Sequence, residues 1–134
     1  MSEKTLRKNM IAALKEARMH PVAVENPCHP GTPDVNYVGG WVELKQLDAW
    51  PANPSTGVSI PHLTRQQVLW LGDRCVAGGN AYLLLQVGKE YLLFHGCSVK
   101  SINGSTRLSL KRMALAVWDS LADMKSELPG CLQK

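Results

Sequence analysis

Apolar residues in the first part of the chain recur at three- and four-residue intervals. Leu6, Met10, Ala13, Leu14 and Ala17 form one stripe, which predicts an amphipathic helix from Glu3 to about Met19 with Lys4, Arg7, Lys8 and Lys15 on its wetter sides. Ser2 followed by Thr5 does not make a clean capping box, while Glu3 puts a negative charge where the helix dipole favours one. His20-Pro21 ends the helix, because proline disfavours helical backbone in the residue before it. Val22 to Glu25 reads as a short strand, and Asn26 to Pro33, with three prolines and a glycine, reads as a loop. Past Pro33 the period changes to two. Short β-branched and aromatic runs flank Gly39-Gly40, predicting a tight hairpin with the Val22 to Glu25 strand beside it. With the two glycines as its loop, Val38 pairs with Trp41, Tyr37 with Val42, Asn36 with Glu43, Val35 with Leu44 and Asp34 with Lys45. Alternation then puts Asp34, Asn36, Glu43 and Lys45 on one face, and Val35, Tyr37, Val42 and Leu44 on the other.

The segment from Gln46 to His62 has three prolines and no sustained period, so it is expected to be a loop, and one this long generally has a task. Thr64 with Gln67 three residues on predicts a capping box, followed by a helix that buries Val68, Leu71 and Cys75 with parts of Leu69 and Trp70. Gly78-Gly79 stops it. Ala81 to Val87 is nearly all apolar, the mark of a strand covered on both faces and central in its sheet. Gly88-Lys89 turns into a further strand, Glu90 to His95. Cys97 to Asn103 is ambiguous and fits a short edge element. Leu110, Ala114, Val117, Leu121 and Met124 repeat at four, three, four and three residues, which predicts a last helix from about Ser109 to Lys125. Arg107, Lys111 and Arg112 stand at its start, where the dipole does not favour cations, so an external phosphate would help; three such residues are too few to require DNA.

Composition limits what this pattern can be. A chain of 134 residues buries one proper core, and a single domain over 1–134 is expected. Fifteen basic residues against eleven acidic give a formal charge of +4 and a pI of about 9.0, which permits a polyanionic partner without requiring one. The four cysteines, at 28, 75, 97 and 131, have no CxxC spacing and fit reduced thiols in a cytosol. No leading segment resembles a signal peptide, and no apolar run approaches the roughly 20 residues that span a bilayer. A soluble, cytoplasmic protein without membrane contact is expected.

The charged face of the hairpin is the main candidate for chemistry. Asp34, Glu43 and the carbonyl of Leu44 are hard oxygen donors suited to Mg²⁺, with Lys45 beside them to stabilise charge on a phosphate or its attacking water. The same residues also fit a surface hairpin with a cross-strand Asp-Lys pair worth about 0.5 kcal/mol. His29 lies in the loop that leads to Asp34, where it fits a phosphate contact or an incidental surface histidine. Cys28-His29 has no complementary pair at a zinc spacing. Trp50 fits packing against a sugar or an unstacked base, with His62 near it, or a plug into the core. Gln67 fits either a helix cap alone or a hydrogen bond to water or phosphate, two roles that compete for one side chain.

Pro33-Asp34, eight intervening residues, then Glu43-Leu44-Lys45 resembles the signature of the PD-(D/E)xK nucleases. Gly31-Thr32-Pro33-Asp34, Gly40-Trp41-Val42-Glu43-Leu44-Lys45 and Leu63-Thr64-Arg65-Gln66-Gln67, followed by an apolar helix and Gly79, resemble its VRR-Nuc branch from about Glu3 to Val87. The resemblance implies an α/β fold, a restriction-endonuclease-like core with a mixed central sheet flanked by helices. It implies Mg²⁺, with Mn²⁺ able to substitute, held by Asp34, Glu43 and the Leu44 carbonyl, with Glu3 of the first helix reaching the site and Glu16 as the weaker alternative. It makes Asp34, Glu43, Lys45, Gln67 and Glu3 the catalytic set, with Gln66 as the fallback for Gln67. His29, Trp50, Arg65, Arg107, Lys111 and Arg112 are the candidate DNA contacts. Small stand-alone phage or bacterial members imply a homodimeric endonuclease acting on branched DNA such as Holliday junctions, with Trp50, Trp118 and Leu121 as candidate dimer contacts. The reading from another class is an inactive nucleic-acid-binding or assembly module that keeps the nuclease fold.

Overall fold

The most apolar run of the chain lies inside its sheet. The computed structural model describes residues 2–133, and in it six strands hydrogen-bond side by side in sequence order. They are β1 (Val22–Ala23), β2 (Val35–Tyr37), β3 (Gly40–Leu47), β4 (Ala81–Val87), β5 (Glu90–His95) and β6 (Ala116–Trp118). β3 and β4 run parallel, joined through α2 (Arg65–Val76), and every other neighbouring pair is antiparallel. Every residue of β4 is buried, as a strand flanked on both edges and covered on both faces must be. On one face Leu44, Tyr82 and Leu84 meet Leu6, Met10 and Leu14 of α1 (Glu3–Glu16) and Met124 and Leu128 of α4 (Leu121–Leu132). On the other, Leu83 and Leu85 meet Leu71 of α2, Val99 of the 3₁₀ turn Gly96–Ser101, and Leu110 of α3 (Arg107–Met113). This is the expected mixed sheet between layers of helix. No described helix is long and apolar enough to cross a membrane.

The hairpin forms one step away from its expected register. Val35 pairs with Val42, Asn36 with Trp41 and Tyr37 with Gly40, so the loop is Val38-Gly39 and each partner moves by two positions. An even shift leaves side chains on the faces the alternation assigns them, and Val35, Tyr37, Val42 and Leu44 do lie in the core. What changes is the charged face: carried one residue further, this register sets Asp34 opposite Glu43 rather than Lys45. The cause lies at Gly40, where an added Cβ would come within 2.2 Å of the Asn80 carbonyl oxygen. Trp41 N–H also donates to that oxygen at 3.0 Å. Gly40 is thus needed inside the strand for close approach, and Gly40→Ala is expected to cost about 1–3 kcal/mol through overpacking, read as a lower midpoint in chemical denaturation.

The C-terminal third departs furthest from expectation. In place of one helix from Ser109 to Lys125 there are α3, β6 and α4. The period of four and three is present, but Ala116-Val117-Trp118 sits where β5 would otherwise show water an unpaired edge. These residues pair with Tyr91 to Leu93, and Leu115 N–H donates to the Leu93 carbonyl at 2.7 Å. Ser120 then caps a fresh helix by accepting from Asp123 N–H at 3.1 Å, and α4 runs on past Lys125 with Pro129 buried in its last turn. Trp118 is consequently core, at 5% exposure, and Leu121 packs partly buried against the same cluster. Cys97 to Asn103 supplies the 3₁₀ turn instead of an edge strand. The long segment after Lys45 begins as the end of β3 and is irregular beyond Leu47. Buried Val58 and Ile60 anchor it, with Val58 N–H donating to Ser105 O and Ile60 N–H to Asn103 Oδ1, each at 2.8 Å.

Candidate active site

β2 stops pairing with β3 at Val35, which leaves the next stretch of β3 without a strand on that side, while β4 stays paired on the other. Asp34 fills the gap with its side chain: Oδ2 accepts from Leu44 N–H at 2.9 Å. A residue's N–H and C=O leave a strand on the same side, so the Leu44 carbonyl opens onto this gap as well. Glu43 and Lys45 point to the α2 face, away from Val42 and Leu44, and both are buried, at 1% and 3% exposure. Lys45 Nζ lies 3.7 Å from Glu43 Oε2 and donates to the His62 carbonyl at 2.9 Å. His62 holds that carbonyl in place with a φ of 63°, a left-handed conformation that costs a non-glycine residue roughly 1–2 kcal/mol. The long loop's task in the structure is therefore to bring a backbone oxygen to the lysine.

Burial of Glu43 disfavours its charge, and this is the largest of the forces that push its pKa up to about 9. The adjacent Asp34 carboxyl acts in the same direction, Glu3 adds to it, and only Lys45 pulls the other way. Glu43 Oε1 is buried with no N–H or hydroxyl donor against it, and the group within hydrogen-bonding reach of the Glu43 carboxyl is another carboxyl, that of Asp34. A dry carboxyl oxygen without a donor, a second carboxylate and a backbone carbonyl make a hard oxygen set that fits Mg²⁺ or Mn²⁺. Glu3 lines a cavity of about 160 Å³ together with Lys4, Arg7, Asp34 and Leu44. It borders the pair without closing a three-carboxylate cluster on it.

Gln67 does two things at once. Its Oε1 accepts from Thr64 N–H at 3.0 Å while Thr64 Oγ1 accepts from Gln67 N–H at 3.2 Å, completing the capping box. Its Nε2 donates to Glu43 Oε2 at 3.4 Å. The two roles do not compete, because an amide has an acceptor at one end and a donor at the other. Two substitutions separate them. Gln67→Glu keeps the cap but sets an oxygen against Glu43, so it is expected to hold its melting temperature near wild type while changing the affinity of the Glu43 carboxyl for a divalent ion, read by calorimetry. Gln67→Ala loses both contacts and is expected to cost about 1 kcal/mol of stability as well.

The remaining candidates fall into three places. His29 and Arg65 are exposed, and the loop of His29 abuts the start of α2: a Cβ on Gly31 would come within 2.4 Å of the Gln66 carbonyl oxygen. Glu16 lies at the far end of α1, between it and α4, and Gln66 points outward, so neither joins the acidic pair. Trp50, Arg107 and Lys111 meet elsewhere, around Glu90. Trp50 Nε1 donates to Glu90 Oε1 at 3.1 Å, Arg107 reaches that oxygen at 2.7 Å and Lys111 reaches Oε2 at 2.6 Å. Lys111 and exposed Arg112 stand in the last turn of α3 rather than at a helix start, and there the dipole favours them. Two parts of the site went unread in the sequence: the His62 carbonyl, which no side chain signals, and Lys4 and Arg7, whose helical spacing placed them only on a wet face.

No family model and no curated protein matches the sequence. Among solved structures, the chain is similar to Hjc of Archaeoglobus fulgidus, a Holliday junction resolvase from an archaeal hyperthermophile, with a TM-score of 0.57 and 17% identity over 91% of this chain and 98% of that one. That resolvase is a PD-(D/E)xK nuclease. At this identity the likeness concerns the backbone: the chain has a restriction-endonuclease-like fold, and its acidic pair lies where β2 parts from β3 in that fold.

Proposed function

We propose that the protein is a Mg²⁺-dependent deoxyribonuclease of the VRR-Nuc kind, a single-domain endonuclease that cuts branched DNA such as Holliday junctions as a homodimer in the cytoplasm. The observation that carries this is the Glu43 carboxyl, buried with no N–H or hydroxyl donor on one oxygen and held against the Asp34 carboxyl near the Leu44 carbonyl. Within one protein such an arrangement is costly, and a divalent cation offsets the cost. Asp34, Glu43 and the Leu44 carbonyl hold the ion, with Glu3 available from the rim. Bound there, Mg²⁺ would lower the pKa of water and neutralise phosphate charge. Lys45, fixed between Glu43 and the His62 carbonyl, presents an ammonium to the phosphate oxygens. Gln67 keeps the Glu43 carboxyl oriented, and exposed His29 and Arg65 contact the DNA.

The surface suits a duplex approaching along α1. Lys4, Arg7, Lys8 and Lys15 border one open groove on that helix, and Lys4 and Arg7 also line the cavity beside Asp34. This strip continues from the acidic pair, whereas Arg107 and Lys111 are both held by Glu90. Replacing Lys4, Lys8 and Lys15 together by alanine is expected to weaken binding to all DNA sequences alike. It should also flatten the salt dependence of log K by about 2–3, roughly 0.9 per lost phosphate contact. Fluorescence anisotropy across a salt series reads this out.

Two cuts related by symmetry require two copies of one small site. Leu115 and Val117 leave exposed apolar surface at the outer strand β6, and Leu108 does so on α3, which suits a contact between copies. Light scattering is expected to give twice the 14.7 kDa chain mass. A cruciform-bearing plasmid with Mg²⁺ is expected to go directly to linear product through paired nicks. A monomer that cuts matched linear duplex as well as four-way DNA would overturn the resolvase reading.

A further inference from the structure

A second group of ligating side chains lies at the opposite end of α2 from Gln67. Cys75 comes from the last turns of α2, His95 from the end of β5 and Cys97 from the 3₁₀ turn, and one ligand atom of each lies within 4.8 Å of the other two. The fold forces this meeting. At Gly96 an added Cβ would stand 2.7 Å from Cys75 Sγ, 2.8 Å from the Leu71 carbonyl oxygen and 2.9 Å from that of Ala81, so the His95-Gly96-Cys97 corner is pressed directly against the helix. Gln67 and Cys75 are eight residues apart on α2, which separates the cluster from the acidic cleft by roughly 12 Å along the helix.

We propose that Cys75, His95 and Cys97 form a soft-metal site that takes one zinc-class divalent ion on two thiolates and an imidazole, with the fourth position open to solvent. Chemistry and geometry support it together. Two sulfurs and one imidazole are a zinc set, unlike the all-oxygen cleft at Asp34 and Glu43. Around a tetrahedral zinc, with bonds of about 2.3 Å to sulfur and about 2.0–2.1 Å to nitrogen, the donors stand roughly 3.3–3.8 Å apart. From separations of at most 4.8 Å, the group needs to contract by at most roughly 1–1.5 Å. The contacts the three side chains make without an ion are weak enough to exchange: Cys75 Sγ donates to the Ala81 carbonyl at 3.5 Å, and His95 Nδ1 accepts from Cys97 N–H at 3.4 Å. His95 also meets the Tyr82 ring edge to face at 6.0 Å, which limits its rotation. Entry is open, since Cys97 is exposed and Gly96 and Cys97 line a groove along α2 with Leu69, Gly72 and Val76. On binding, the two thiols release their protons to the buffer and the sulfurs donate the electron pairs; no oxidant is involved. The ion would tie α2 to β5 across the sheet's second core.

The sequence hid this site because its ligands are twenty and two residues apart, not in paired CxxC steps. The test is a titration of the reduced, chelator-stripped full chain with Co²⁺, then displacement by Zn²⁺. Expected are sulfur-to-cobalt charge-transfer absorption and the intense visible bands of four-coordinate cobalt, saturating at one equivalent of thiolate-bound ion per chain, with release of two protons and a higher melting temperature. Exposed Cys97→Ser is expected to fold as wild type but to lose at least about 100-fold in affinity, and His95→Gln to lose the cobalt bands. Glu43→Gln, which disables the acidic cleft, is expected to keep them, so failure here and failure of the nuclease reading are separable. Cobalt bands that survive in Cys97→Ser, or that vanish in Glu43→Gln, would overturn the proposal. So would a wild-type chain that binds no cobalt or zinc and instead loses two hydrogens in air as a Cys75–Cys97 disulfide.

Discussion

Glu43→Gln is expected to reduce Mg²⁺-dependent DNA cleavage by at least about 10³-fold while making the metal-free protein more heat-stable at alkaline pH. Both effects come from one carboxyl group. The folded chain raises the Glu43 pKa from 4.5 to about 9, so the group contributes most to stability below about pH 4.5, where both folded and unfolded chains hold the proton. That contribution is lost as pH rises through the folded value near 9, since the unfolded chain ionises freely and the folded one resists. A glutamine has no such proton to lose, and its amide can donate to Asp34 where the carboxylate repels it. The melting temperature of the variant should therefore match wild type near pH 5 and exceed it increasingly towards pH 9. Adding Mg²⁺ should reverse the order at pH 8, because an ion that binds only the folded wild type stabilises it by mass action. Differential scanning calorimetry at pH 5, 7 and 9 with and without Mg²⁺, beside single-turnover cleavage, measures both. A variant less stable than wild type at pH 9 without metal would mean that Glu43 is not held as a strained acid.

Asp34 has a structural and a chemical task, and two substitutions are expected to part them. Asp34→Ala removes the acceptor of Leu44 N–H at the place where β2 has left the sheet, and a partly buried donor left unsatisfied costs about 1–3 kcal/mol. Asp34→Asn can keep that hydrogen bond through its carbonyl oxygen and should unfold close to wild type in urea. Both lose the carboxylate charge. Metal affinity by calorimetry is expected to fall by at least about 100-fold in each, the upper end of what even outer-shell partners cost, with cleavage lost in parallel. Full metal affinity in Asp34→Asn would confine the residue to its structural task.

Much of this was legible in the chain, and the limits have physical causes. Alternation put Val35, Tyr37, Val42 and Leu44 in the core and the acidic pair on the other face. It could not fix the register, because a two-residue slip leaves every face unchanged and only the close approach of Gly40 to Asn80 decides it. The capping box at Thr64 and Gln67 was readable from spacing. That the amide's other end would reach Glu43 depended on where a parallel strand lay in space. A four-three repeat spelled one C-terminal helix where the open edge of β5 draws three residues into the sheet; that demand belongs to the partner strand and leaves no mark on local periodicity. Arg107 and Lys111 looked free to meet phosphate because Glu90, their partner, is seventeen and twenty-one residues away. Long-range pairing of this kind also assembled Cys75, His95 and Cys97.

The most direct test of the proposed chemistry is the anomalous diffraction of crystals soaked in Mn²⁺. The expected result is an ion at roughly 2.1 Å from an Asp34 carboxylate oxygen, Glu43 Oε1 and the Leu44 carbonyl, lost in crystals of Glu43→Gln. Saturating Mn²⁺ with no anomalous peak in the β2–β3 gap, in crystals of a preparation that cuts DNA, would contradict it.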